Sequence, residues 1–167
     1  TYNGMTLVVG AENDFTVAYE NNTDATQKSG AQATVVIAGV GNYQGRAEVS
    51  FTISPRALED EFIAAIADQT YTGEALTPSL TVTYNNMALA LGEEADYTVS
   101  YGNNVAATPK SGSAASVIIE GMGNYAGSAS ASFTILPKNI TAEGVVIGQL
   151  AALTYTGGEL TPVPVIE

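Results

Sequence analysis

The side chains with which this chain could do chemistry are carboxylates, hydroxyls and five basic groups, because its 167 residues include no histidine, cysteine or tryptophan. Imidazole bases, thiol nucleophiles, disulfides and the usual ligands of zinc, haem and iron–sulfur clusters are thereby absent. Two loops, Glu12-Asn13-Asp14 and Glu93-Glu94-Ala95-Asp96, group carboxylates that could offer oxygen ligands. Oxygen ligands of this kind suit calcium, but neither loop has the spaced Asp/Asn series and closing Glu of a dedicated calcium site. Asp14 and Asp96 are expected instead to cap backbone donors of their own turns. Glycoside hydrolysis needs two carboxyl groups about 5 to 10 Å apart across a cleft, and Glu93 and Glu94 are neighbours in one loop. The sequence therefore predicts no catalytic residue, no metal site and no cofactor.

Two further sets recur. The turns Gly41-Asn42-Tyr43-Gln44-Gly45 and Gly123-Asn124-Tyr125-Ala126-Gly127 are too short, and too far from any helix, to cradle a phosphate. Their glycines are expected to take positive backbone dihedrals. Tyr43 and Tyr125 are expected to lay their rings over the end of the core, each hydroxyl bonded to a neighbouring loop. The alternative is a ligand platform built on the same two tyrosines; for a binding module the candidate contacts are Tyr84, Tyr101 and Tyr125, or the loop from Val105 to Ser113. Lys28 and Lys110 also recur. Some surface domains join Lys to Asn covalently inside an apolar core, but both lysines lie in polar turns and read as exposed.

The elements that must position these groups follow from composition and repetition. With 46% hydrophobic and 13% charged residues the chain should fold, and its Gly, Thr and Ser content argues against a helical bundle. The net charge of −12 should repel phosphate backbones and anionic headgroups, so neither nucleic acid nor a membrane surface is an expected partner. No apolar run approaches the roughly 18 residues of a membrane span, and no signal-like stretch opens the chain at Thr1. It reads as a segment excised from something longer.

Sliding the sequence against itself aligns residues 1–55 with residues 83–137 without a gap, and about 32 of these 55 positions are identical. Tyr71-Thr72-Gly73 and Leu76-Thr77-Pro78 return as Tyr155-Thr156-Gly157 and Leu160-Thr161-Pro162. Residues 1–54 are thus a partial repeat lacking its first strands, 55–136 a complete repeat, and 137–167 the start of a third. The missing opening should leave copy one with an unpaired sheet edge, and Val145 to Pro162 is the matching piece. That piece is expected from another molecule by strand exchange, or from upstream sequence.

Leu80, Val82 and Tyr84 alternate with polar residues, Asn85-Asn86 suits a hairpin turn, and Met87, Leu89 and Leu91 resume the alternation. Tyr2-Asn3-Gly4-Met5 repeats the hairpin signal. Tyr97–Tyr101, Val117–Ile119 and Ala131–Ile135 supply further strands. Leu58 to Ala67 has helical propensity. Its counterpart, Gly144 to Leu150, has two glycines and three β-branched residues, so both are expected to be strands. Six or seven short strands per unit point to an all-β sandwich.

The string Tyr71-Thr72-Gly73, Leu76-Thr77-Pro78, Gly92, Asp96 to Tyr101, Asn103-Asn104, Gly121, Gly123-Asn124-Tyr125 and Phe133-Thr134-Ile135 resembles the tandem Ig-like repeats (MBG/Big type) of bacterial cell-surface proteins, especially of Gram-positive bacteria. The resemblance implies Ig-like β-sandwich units, with β-grasp-like units as the alternative. It also implies a non-enzymatic extracellular stalk or adhesin module, attached to the cell surface through regions outside this segment. Neighbouring repeats would be its main partners. A module that binds glycan or a host surface protein is the alternative function.

Overall fold

The computed structural model describes residues 1–92, 94–141 and 143–166. In copy one, β1 (Phe15–Glu20) is joined through a single helical turn, α1 (Thr26–Ser29), to β2 (Ala33–Gly39), and the Gly-Asn-Tyr turn leads to β3 (Arg46–Phe51). The three strands form one antiparallel sheet with β2 in the middle. Val17 lies opposite Ile37 and Ile37 opposite Ala47, while Tyr19, Val35 and Val49 form the next row. Since side chains alternate along a strand, these apolar residues share one face.

Copy two begins with β4 (Arg56–Ala57), a 3-10 turn at Asp60–Phe62 and β5 (Gln69–Thr70). A hairpin of β6 (Thr83–Tyr84) and β7 (Met87–Ala88) follows. Next come β8 (Tyr97–Gly102), α2 (Thr108–Ser111), β9 (Ala115–Gly121), β10 (Tyr125–Ala126), β11 (Ser128–Phe133) and β12 (Ile135–Leu136). β8, β9 and β11 build the same three-stranded sheet in the register of copy one, with Val99 opposite Ile119 and Ile119 opposite Ala129. β4 pairs in parallel with β10, and β5 in parallel with β12, so residues 56–70 strap the sheet from one end to the other. This strap and the hairpin press Leu58, Phe62, Ile63, Val82 and Leu89 onto Tyr97, Val117, Ile119, Phe133 and Ile135, which is the core of the molecule.

The chain is all-β in class, and both hairpins form where their turn residues indicate. Asn85 and Asn86 have φ of 49° and 63°, and Asn3-Gly4 repeats this with 46° and 80°. Two positive dihedrals in succession match the right-handed twist of a two-residue hairpin. Among the described residues copy two has no second sheet comparable to the first. Its second layer consists of short pieces, and β6 begins only at Thr83, although the alternation at Leu80 and Val82 predicts a longer strand.

Leu58 to Ala67 is a correction to the expectation of a strand. Phe62 and Ile63 are adjacent and both buried, whereas a strand would send them to opposite faces. The 3-10 turn turns both inward, with Asp60 accepting a 2.6 Å hydrogen bond from the Ser130 amide of β11. Only the single bridge between Ile63 and Val82 remains of the expected pairing. Gly144 to Leu150 is likewise no strand and keeps only the equivalent bridge, Ile147 to Ile166. The polar turns that hold Lys28 and Lys110 are each one turn of helix, closed by Gly30 and Gly112 at φ of 71° and 74°. Two such turns occur in the same place, so the 105–113 loop has the form of its counterpart in copy one.

Candidate functional site

The most elaborate polar arrangement in the molecule lies where copy one meets copy two. Its first half is the segment Asp24–Lys28 leading into α1. Thr26 fixes this segment to the end of copy one's sheet, its amide donating to Ile53 O at 2.9 Å and its Oγ1 accepting from the Ile53 amide at 3.0 Å. Thr108 repeats the second bond in copy two, accepting from Ile135 at 2.9 Å. The second half is the turn Gly123-Asn124-Tyr125. Gly123 sits at φ 62°, the left-handed region that glycine enters without steric cost. Gly121 is also constrained: a Cβ there would lie 2.7 Å from Ala126 N.

Asn124 links the halves. Its Oδ1 accepts from the Ala25 amide at 2.7 Å and its Nδ2 donates to Asp24 Oδ1 at 2.7 Å, so the amide is oriented by one donor and one acceptor. Gln27 Nε2 donates to Gly123 O at 2.9 Å, and the Lys28 stem packs over Gly123. Lys28 Nζ lies 3.3 Å from Asp24 Oδ1. The Asn124 hydrogen bond, and after it Lys28, hold the Asp24 carboxyl below its ordinary value. The connector is short and tied down: the Arg56 amide donates to Asn124 O at 2.8 Å and the Leu58 amide to Ala126 O at 2.9 Å. Arg56 pairs with Glu59 and stands 5.2 Å from the Tyr84 ring centre. A shallow cleft of about 220 Å³ remains at this joint, lined by Thr23, Ala25, Ile53, Arg56, Tyr84 and Tyr125 among others.

The candidate ligand-contact tyrosines all pack within copy two. Tyr125 is buried, with its ring edge-on to Tyr84 at 6.2 Å. Tyr84 is half-buried and packs against Phe62 at 5.1 Å. Tyr101 is half-buried, donates its hydroxyl to Pro78 O at 2.7 Å, and has its phenol pKa raised by burial. Among the described residues neither Tyr43 nor Tyr125 makes the expected hydroxyl bond to a neighbouring loop; Tyr101 is the tyrosine that does so. Tyr43 is half-buried against Tyr2 at 6.2 Å. Asp14 and Asp96 cap as expected, each carboxylate accepting a 2.8 Å bond, from Val8 and Ala90 respectively. Glu93 of the second acidic loop lies outside the described residues, as do Ala142 and Glu167 of the third copy. Among the described residues no cluster of three or more acidic side chains is placed to hold a metal ion, and no helix is long and apolar enough to cross a membrane.

The joint itself is not legible in the sequence. Asn42 and Asn124 recur in the turns, yet neither has a positive φ, so conformational tolerance does not explain the residue type. At Asn124 the side chain's two bonds to copy one explain it. No protein-family model, curated protein or solved structure matches this chain.

Proposed function

We propose that the chain is a non-enzymatic spacer of Ig-like β units, working outside the cell as part of a surface protein and setting the distance and direction of whatever lies beyond it. The observation that carries this reading is the joint. One copy's turn is bonded to the preceding copy by Asn124 and Gln27, and the connector is held by backbone pairing, which restricts rotation between units. Flexibly tethered domains need no such fixing, because their default is relative motion. The shared register of the two sheets further supports a modular array. The Ig-like description rests on the resemblance and on the two-layer core, here with a reduced second layer.

Absence of cysteine makes a direct test simple. Spin labels at Ser50→Cys and Ser132→Cys, equivalent exposed positions in β3 and β11, should give a narrow distance distribution. Asn124→Ala should broaden it. A broad distribution in the parent chain would remove the spacer reading. Saturable glycan-induced NMR shifts clustered at Tyr84, Tyr101 or residues 105–113 would replace it with a binding module.

A further inference from the structure

Strand β8 forms one edge of the copy-two sheet, in which the order is β11-β9-β8. Its register with β9 runs from Tyr97 to Gly102 without a bulge, and the strand contains neither a charged residue nor a proline. Edge strands ordinarily carry one of these features, which discourage pairing with another chain. The Tyr97 end of the edge is occupied within the molecule: the Tyr97 amide donates to Ala90 O at 3.3 Å, and its carbonyl accepts from the Gly92 amide at 2.9 Å. Backbone groups alternate in direction along a strand, so those of Val99 and Tyr101 also point away from β9. Among the described residues they have no backbone partner.

Beside this free edge lies a cleft of about 520 Å³, bounded by Pro78, Leu80, Leu89, Leu91, Val99 and Tyr101 among others. It is formed wholly within the complete copy. Leu89 is 8% exposed and Leu91 59%, so an apolar floor lies behind an accessible mouth. The far wall is fixed, because the Tyr101 hydroxyl donates to Pro78 O at 2.7 Å and the Leu76 amide to Asn104 O at 2.9 Å. The lining is apolar, but residues 57–109, which supply all of it, hold eight acidic side chains and no Lys or Arg. Two copies of this chain paired through β8 would bring those acids together, which opposes self-association and favours a cationic partner.

We propose that β8 and this cleft are a docking site for an extended peptide segment of a partner protein, with alternating apolar side chains and basic residues at its flanks. The segment adds one strand to the sheet. Its backbone pairs with the amides and carbonyls of Val99 and Tyr101, and an apolar side chain enters between Leu80 and Leu91. Its basic residues face Glu74, Glu94 and Asp96, which lie within three residues of the lining along the chain.

Titration with the end-blocked peptide Lys-Val-Thr-Val-Thr-Val-Lys, followed by amide NMR at low salt, tests this. Saturable shifts should centre on Leu80, Leu91, Val99 and Tyr101, with slowed hydrogen exchange at the Val99 amide. The same peptide with Glu at both ends should bind about ten-fold more weakly or worse. Leu91→Lys, at an exposed position, should weaken binding of the Lys-flanked peptide by a similar factor. Val99→Pro removes the outward amide but no bond to β9, and should also weaken binding. The Val117 and Ile119 amides report whether each variant is folded, and if Val99→Pro is not, Leu91→Lys alone decides. No saturable shift, equal binding of the two peptides, or undiminished binding to Leu91→Lys overturns the proposal. So do Val99 and Tyr101 shifts that grow with protein concentration in the absence of peptide, which would assign the edge to a second copy. The spacer reading is tested separately, because none of these residues takes part in the joint.

Discussion

Replacing Asn124 with alanine deletes both bonds that its side chain makes to copy one, the 2.7 Å acceptance from Ala25 and the 2.7 Å donation to Asp24. A protein hydrogen bond contributes about 0.5–1.5 kcal/mol net, so the loss of two weakens the joint by about 1–3 kcal/mol. That corresponds to a roughly 5- to 150-fold shift in its opening equilibrium. The Ala25 amide reports the opening directly, because Ala25 is buried and its N–H is held by Asn124 itself. Hydrogen exchange at Ala25 should accelerate by this factor, while amides inside the sheet of copy two, such as Val117 and Ile119, should keep their protection. Asn42→Ala is the internal control. Asn42 occupies the same turn of copy one, is exposed, and should change stability by less than about 0.5 kcal/mol. Unchanged exchange at Ala25 in Asn124→Ala would refute the claim that this side chain fixes the two units together.

Three other outcomes follow from the geometry. Asp24 has a folded pKa below its ordinary 3.8, so its support for the joint is complete above that value and is lost as pH falls through the lower folded value. Label distances across the joint should therefore stay constant from about pH 7 to 5 and broaden only below about pH 4. Ile119→Ala removes a fully buried side chain and should cost about 2–5 kcal/mol in urea unfolding. Its counterpart Ile37→Ala, only half-buried, should cost less than half as much. Asn86→Val forces a β-branched residue to φ 63° and should destabilise copy two by about 1–2 kcal/mol, whereas Asn86→Gly should be neutral or stabilising.

What the sequence revealed was local. Asn85-Asn86 and Asn3-Gly4 declared their hairpins because few residues tolerate those dihedrals, and the period of two along β8, β9 and β11 declared the sheet face. Asp14 and Asp96 were legible as caps because their donors lie six residues away in the same turn. The parallel pairs of β4 with β10 and β5 with β12 join segments more than 60 residues apart, and two-residue strands carry no period to read. Phe62-Ile63 shows the limit of reading one copy from its counterpart, since these adjacent buried side chains are incompatible with one strand face. Pro109 ahead of Gly112 similarly marked the one-turn helix α2 by the usual asymmetry of helix ends. Asn124 could not be resolved from sequence, because a turn-former and an inter-unit linker look the same until the loop opposite is known.

The loop that receives Asn124 is not the same in every copy. Asp24 and Gln27 of copy one correspond to Ala106 and Pro109 of copy two, which offer neither a carboxylate to accept a bond nor an amide to donate one. A Gly-Asn-Tyr turn seated on copy two would keep the backbone amide of Ala107 and the charge of Lys110, and would lose the rest. Two substitutions thus remove three of the contacts that fix one unit to the next, so joints between near-identical units need not be equally stiff, and the difference lies in a loop whose own one-turn helix is the same in both copies.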